Sequence, residues 1–261
     1  MWLSSSCHLL NTKMRTDILL VTYRKDYDWA VFCLRSIEKF AFGFGGVTLV
    51  CPVDDEGIFA VLAPNYSRAD MPIVVKTYIP KKGYEFNHHQ VMKCYSDVLC
   101  PNADYVLHVD SDCIFTDLVA PNDYFKDEKP YLLMRTYQPS EPWYIWRKPT
   151  SAALGVACNY ETMVRHPAVH PVETYRDLRE YMEKLHGIPF SEWVLKQPGN
   201  YPACHFSEFN TLGSYVLISC AERYEVVDTD KAEQPPSNLI QGWSWGGADK
   251  AKEQYEKILS R

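Results

Sequence analysis

Short apolar runs alternate with amphipathic segments through the first 120 residues of the chain. The run at residues 17–23 has the length of a buried strand, and the apolar residues of 28–42 recur at the spacing of one helical face. The alternation continues with predicted strands at 45–55, 71–79 and 104–109 and predicted helices at 56–64 and 84–100. This order predicts an α/β fold: a mainly parallel, doubly wound sheet with helices on both faces.

The alternation weakens in the second half of the chain. Segment 130–160 has the apolar character of a strand but is interrupted by prolines and aromatic residues. Segments 172–187 and 206–219 have helical spacing, and 241–259 reads as a Gly/Trp loop followed by an amphipathic helix. The second half is therefore expected to extend the sheet less regularly than the first.

Composition limits the class of protein. The chain has 261 residues, of which 46% are hydrophobic, so it can bury a sizeable core. No repeat or clear linker is visible, and we predict one domain over residues 14–261 behind a loose tail at residues 1–13. The net charge of -6 argues against a nucleic-acid partner, because such proteins cluster Lys and Arg against phosphates.

Cysteine usage and hydropathy suggest a location. The nine cysteines form no Cys-x-x-Cys pair, which favours reduced thiols in a reducing compartment. The first residues lack the apolar core of a secretion signal, and no stretch approaches the roughly 18 apolar residues of a membrane span. We expect a cytoplasmic protein without a membrane span.

Two carboxylates follow the apolar run at residues 105–109. Asp110 and Asp112 are separated by one serine, and two carboxylates this close repel each other unless water or a cation neutralises them. A solvated strand end would satisfy them, and so would Mg²⁺ or Mn²⁺, which prefer oxygen ligands. Polar residues also follow the first two strands, at 22–26 and 52–56, and strand ends in such sheets border the ligand crevice. These neighbours favour the cation site.

Three short motifs carry a family resemblance. They are HQVMK at residues 89–93, HVDSDCIF at 108–115 and HFSEFNTLGSY at 205–215. With these motifs the chain resembles the GT-A-fold glycosyltransferases that use nucleotide-sugars. It is particularly similar to a small group of bacterial proteins and a domain from large algal viruses, over about residues 15–250. Two features depart from that group: His89 replaces a glutamine, and the late metal-binding histidine of many such enzymes has no counterpart in QGWSWGG.

The resemblance implies a metal-dependent donor site. Asp112 would coordinate Mn²⁺ or Mg²⁺, and Asp110 would bind the same metal through water or hold the ribose, with Ser111 also at the donor. The metal would neutralise the leaving diphosphate. Lys93 would face the diphosphate or the donor sugar, with Asp97 one turn later on the same helical face. A solvated helix residue is the alternative for Lys93.

The resemblance also divides the chain into a nucleotide-binding half, residues 14–120, and an acceptor half, residues 121–261. Thr22, Tyr23 and Arg24 would hold the base and ribose, and Asp54 or Asp55 would accept a hydrogen bond from uracil, although ordinary loop polarity would also explain these residues. The expected donor is a UDP-sugar and the expected acceptor a carbohydrate or glycan.

Glu208 is the predicted catalytic base of the acceptor side. Phe206 and Phe209 flank it, and we expect such an apolar setting to raise its pKa toward a useful range. The alternative is a helix N-terminal residue capped by Ser207. His205 is a further candidate metal ligand, although a lone histidine is more often structural.

Other functions fit parts of the pattern. Trp143, Tyr144 and Trp146 suit either a carbohydrate platform or a buried strand. A haloacid-dehalogenase-type phosphatase also has Asp-x-Asp after a strand, but on its first strand. A sugar-nucleotide nucleotidyltransferase usually has a Gly-rich loop after its first strand, and TYRKDYDW has no glycine. A non-catalytic carbohydrate-binding module would leave Asp110, Asp112 and Lys93 without a role.

Overall fold

The computed structural model of the chain describes residues 14–198, 206–243 and 248–261. The predicted tail at residues 1–13 lies outside these ranges. So do His205 and part of the Gly/Trp loop.

The chain forms strands and helices in alternation, as the hydropathy pattern predicts. The strands of the described ranges are β1 Thr16–Val21, β2 Val47–Pro52, β3 Ile73–Tyr78, β4 Tyr105–His108, β5 Cys113–Phe115, β6 Phe125–Lys126, β7 Lys129–Thr136, β8 Tyr160–Glu161, β9 Ala168–Pro171, β10 Glu225–Asp228 and β11 Leu239–Gln241. The helices are α1 Tyr27–Phe40, α2 Glu56–Leu62, α3 Glu85–Lys93, α4 Ser96–Leu99, α5 Arg147–Leu154, α6 Val172–His186, α7 Phe190–Lys196, α8 Glu208–Ser219 and α9 Ala248–Leu259.

The central sheet has the strand order β3-β2-β1-β4-β9. The first four strands are parallel, and β9 pairs antiparallel with β4, with Leu107 opposite Val169. A smaller sheet has the order β10-β7-β6, with β8 paired to β7, and β11 pairs with β5. The α/β class is thus confirmed, and the sheet is mixed, with mostly parallel core strands.

The alternation of side chains along β1 explains the two hydrophobic cores. All six residues of β1 are buried, which accounts for its continuous apolar run. Ile18 and Leu20 belong to the core that contains residues of α1 and α9. Leu19 and Val21 belong to the opposite core, with residues of α3, α6 and α8. Helices therefore cover both faces of the sheet, as predicted.

Two predicted segments have a different structure. The single helix expected over 84–100 is two helices, because α3 ends at Lys93 and α4 begins at Ser96, with the backbone of Tyr95 between them outside the helical conformation at φ of -110° and ψ of 27°. Within 130–160, β7 ends at Thr136, and a 3-10 helix, Pro142–Trp146, leads into α5. The strand expectation for that segment holds for β7 only, since Pro142 suits the first turn of a helix.

The apolar length of the helices and the state of the cysteines complete the description of the fold. In the part of the chain that the structure describes, no helix has both the length and the apolar character needed to cross a membrane. The seven cysteines within these ranges are buried free thiols.

Candidate functional site

A cavity of about 570 Å³ opens where β1 and β4 end. This is the carboxyl edge of the parallel strands, where ligands bind in doubly wound sheets. Its lining includes six residues that the sequence singles out: Tyr23, Lys93, Asp110, Ser111, Asp112 and Glu208. Residues distant in sequence therefore meet in one place.

Lys93 forms ion pairs with two carboxylates that line this cavity. Its Nζ is 2.7 Å from Asp110 Oδ1 and 2.8 Å from Glu208 Oε1, and 4.6 Å from the centre of the Phe209 ring. Burial alone would lower the pKa of Lys93, but the two carboxylates hold it above its ordinary value. Lys93 is therefore a cation whose charge is shared between a residue from the end of β4 and one from the start of α8.

His166 is a second partner of Asp110, which the sequence analysis missed. Its Nε2 is 3.0 Å from Asp110 Oδ2, and its side chain is only 8% exposed. Burial would raise the pKa of Asp110, but Lys93 and His166 lower it well below its usual value. A lone histidine with no motif around it gives no sequence signal, and only the pairing of the following strand, β9, with β4 brings it here.

Glu208 occupies both of the positions proposed for it. It is the first residue of α8, where the Ser207 side chain accepts a hydrogen bond from the Asn210 amide. The Glu208 amide donates to Gln90 Oε1, at 3.2 Å, which ties the start of α8 to α3. Its carboxylate nevertheless lines the cavity and pairs with Lys93. The helix start thus serves to aim the carboxylate at the cavity.

Asp112 contacts different elements from those that contact Asp110. Its Oδ1 accepts a hydrogen bond from Gln241 Nε2, at 3.2 Å, and its carbonyl accepts from the Gly242 amide, at 2.7 Å, and the Tyr255 hydroxyl, at 3.0 Å. The end of β11 and helix α9 therefore fix the backbone of Asp112.

A third carboxylate, Asp26, borders the same cavity. It accepts a hydrogen bond from the Ser111 hydroxyl, at 3.3 Å. Burial, helped by the charge of Asp112, raises the pKa of Asp26 to about 6. Negative charge thus accumulates on this wall. The sequence analysis placed Asp26 at a polar strand end but did not assign it to the site.

The donor set of this wall fits a hard divalent cation. Asp26, Asp110 and Asp112 offer carboxylate oxygens, the ligand type that Mg²⁺ and Mn²⁺ prefer, and after burial the charges of Asp112 and Asp110 contribute to the raised pKa of Asp26. Among the described residues, however, no three or more His, Cys, Asp or Glu side chains form a group that could hold a metal by themselves. A bound ion would therefore take part of its coordination from a ligand or from water.

A second cavity, of about 710 Å³, adjoins the first. The two share Tyr23, Phe86 and His89, and the ring centres of Tyr23 and His89 are 5.6 Å apart. Three other predicted residues, Arg24, Asp54 and Asp55, line the second cavity, and the Arg24 guanidinium pairs with the Asp55 carboxylate. Four of the predicted base- and ribose-binding residues therefore lie together, next to the first cavity.

Two predicted site residues do not reach either cavity. Thr22 is buried, and it is absent from the lining of both. Asp97 was expected on the helical face of Lys93, but the helix ends between them, and its carboxylate forms two hydrogen bonds with Arg179, at 2.7 and 2.8 Å. The break at Ser96 thus gives Asp97 a structural partner instead of a place beside Lys93.

The aromatic segment at residues 142–146 contributes one ring to the site. Trp146 lines the first cavity, whereas Trp143 lies against the Arg135 guanidinium, at 4.0 Å, and Tyr144 against Tyr137. The three rings do not form the continuous platform that their spacing suggested.

Comparison with protein-family models and with curated proteins gives no match.

Proposed function

We propose that this chain is a metal-dependent glycosyltransferase of the GT-A fold that moves a sugar from a nucleotide diphosphate-sugar, UDP-linked, to a carbohydrate or glycan acceptor. One observation carries the proposal. The carboxylates of Asp110 and Asp112, at the end of a parallel strand, face the same cavity as the Lys93–Glu208 pair. Acidic groups that would hold a cation thus lie beside the carboxylate that we assign as the general base.

The two cavities suit the two parts of a nucleotide-sugar. The second cavity, lined by Tyr23, Arg24 and Asp54, offers an aromatic ring, a cation and an acceptor for the base and ribose. The first offers the acidic wall for the diphosphate and sugar. The first half of the chain supplies the donor-binding residues, while His166 and Glu208 come from the acceptor half. Thr22 and Asp97 are left out of this assignment.

Asp112 and Asp110 would hold Mn²⁺ or Mg²⁺, and a bound metal supplies neutralisation of the leaving diphosphate. Lys93 bonds to both Asp110 and Glu208 and so fixes the two side chains in place before any substrate arrives. The acceptor hydroxyl would give its proton to Glu208 Oε2, because Oε1 is bonded to Lys93. The buried free cysteines support a cytoplasmic location, where thiols stay reduced.

Titration calorimetry with UDP, with and without Mn²⁺, tests the proposal. We expect wild-type protein to bind UDP strongly only with the metal, and Asp112→Ala to abolish that binding without loss of the folded circular-dichroism spectrum. Asp97→Asn is the matched control, since that carboxylate pairs with Arg179 away from the cavities. Metal-independent affinity, or full affinity in Asp112→Ala, would refute the assignment. A carbohydrate-binding module would not bind UDP.

A further inference from the structure

The backbone of Trp243 is in the left-handed region, with φ of +58°. This region crowds the Cβ of residues other than glycine, and for a bulky residue it is an outlier. Such strain persists only when neighbouring structure determines the conformation, and it concentrates at functional sites.

The residues before Trp243 show what fixes its backbone. Gln241 is paired with Cys113 in the β11–β5 ladder, and the Gly242 amide donates to the Asp112 carbonyl. A Cβ added at Gly242 would collide with the rings of Trp29 and Tyr255, so only glycine fits there. The chain is thus held against Asp112 immediately before it turns into the strained residue.

This turn places the indole on the wall of the first cavity with 55% of its surface exposed. A large apolar ring exposed among carboxylates is unfavourable in water and is typical of a surface that a ligand covers. Phe86, which is 48% exposed, gives the same cavity a second accessible ring.

We propose that Trp243 is a specificity-determining residue that binds the apolar face of a hexose ring. This inference rests on the proposed function. A pyranose has a face of C–H groups and a rim of hydroxyls. The indole covers the first, and the neighbouring Gln241 side chain, which lines the same cavity, provides an amide group for the second. A diphosphate has no apolar face, and the base has aromatic and polar neighbours in the second cavity.

The test compares Trp243→Ala and Trp243→Gly with wild type, with Mn²⁺ present. Calorimetry measures Kd for UDP and for a panel of UDP-hexoses, and saturation-transfer NMR measures Kd for methyl hexosides. Phe42→Ala is the control for loss of an exposed ring away from the cavity, and Glu128→Gly, at φ of +65°, is the control for strain relief elsewhere.

We expect both Trp243 variants to weaken sugar binding by roughly 3- to 10-fold, with UDP affinity unchanged. Loss in the UDP-hexose series places the ring on the donor sugar, and loss in the methyl hexosides places it on the acceptor. Unchanged Kd values in both series would overturn the inference, and so would a loss equal to that for UDP, which would put the indole on the nucleotide. Should wild type bind no UDP, the proposed function fails, and the methyl hexosides still test Trp243.

Thermal unfolding separates this role from a packing role. Because the indole is mostly exposed and the glycine relieves strain, Trp243→Gly should unfold about 2–4 °C above Trp243→Ala. Glu128→Gly should show a similar gain over Glu128→Ala without any change in sugar binding. If Trp243→Gly instead unfolds below Trp243→Ala, the strain argument is wrong.

Discussion

Two buried polar clusters lie along one face of β4, and they differ in charge. Val106, His108 and Asp110 alternate along that strand and its extension, so the face runs from apolar core to neutral polar group to carboxylate. The neutral cluster consists of His108, His170, Thr174, Tyr175 and Tyr224. The charged cluster consists of Lys93, Asp110, His166 and Glu208.

The difference between the clusters follows from their partners. In the neutral cluster, His108 Nε2 is 2.7 Å from the Tyr175 hydroxyl, and among the described residues no cation or carboxylate bonds to the His108 or His170 ring. Burial therefore lowers the pKa of His108 well below its usual value and that of His170 to about 4. In the charged cluster, ion pairs and the nearby cavity compensate for burial. Within these two clusters, the histidines without a counter-ion stay neutral, and the charged groups have both a counter-ion and a cavity beside them.

The largest expected effect comes from making one member of the charged cluster neutral. If Glu208 is the base, Glu208→Gln lowers sugar transfer by roughly 10²–10⁴, the usual contribution of a general base. UDP affinity should stay the same, because Asp110 and Asp112 are unchanged. Transfer rate and UDP affinity are measured on the same preparation. A transfer rate near that of wild type would mean that Glu208 is not the base and serves only as the first residue of α8.

Removing the Lys93 cation should have the second-largest effect, and this effect is on the stability of the protein instead of on sugar transfer. Lys93→Met leaves the carboxylates of Asp110 and Glu208 buried without their shared partner, and breaking a buried ion pair on one side costs about 3–5 kcal/mol. Urea unfolding of the variant measures the loss. The double variant Lys93→Met/Glu208→Gln carries one carboxylate fewer and should recover part of it. A single variant as stable as wild type would mean that the cavity's water solvates both carboxylates.

The neutral cluster predicts a loss of stability in acid. The pKa of His170 is about 4 in the folded protein and about 6.5 in the unfolded chain, so the unfolded chain binds more protons between these values. Stability due to His170 is complete above about pH 6.5 and is lost as the pH falls toward 4, by roughly 3 kcal/mol. Urea unfolding at several pH values measures this slope. His170→Asn, whose amide can still reach the Tyr224 hydroxyl, should have a flatter profile, and parallel profiles would contradict the assignment.

The sequence predicted the charged cluster only in part. The periodicity of residues 17–42 and the apolar run before Asp110 follow from local burial, so β1, α1 and β4 were predictable. The pairing of Lys93 with Glu208 joins side chains 115 positions apart, and nothing local encodes it. His166 depends on the four-residue antiparallel strand β9, too short to show a period. The break between α3 and α4 lies where the backbone of Tyr95 leaves the helical conformation, while the apolar residues keep their helical spacing, so hydropathy does not register it.

The smallest expected effect comes from removing one hydroxyl of the neutral cluster, that of Tyr224. The Tyr224 hydroxyl is 3.0 Å from His170 Nδ1 and 2.9 Å from Thr174 Oγ1, and Tyr224 is 3% exposed. Tyr224→Phe keeps the ring but leaves these neutral groups without that partner, which costs about 1–2 kcal/mol. Urea unfolding at pH 7 should therefore show a clearly smaller loss than in Lys93→Met. UDP affinity should not change, since Tyr224 lines neither cavity.

The comparison of these two variants tests the physical distinction itself. A neutral hydrogen bond that is lost costs the desolvation of dipoles, whereas a lost counter-ion leaves full charges in the interior, and only the second penalty is large. If Tyr224→Phe destabilises the protein as much as Lys93→Met, charge is not what separates the clusters. The neutral cluster would then be the more tightly coupled network, and the stability of β4 would depend on the core side of the strand instead of on the cavity.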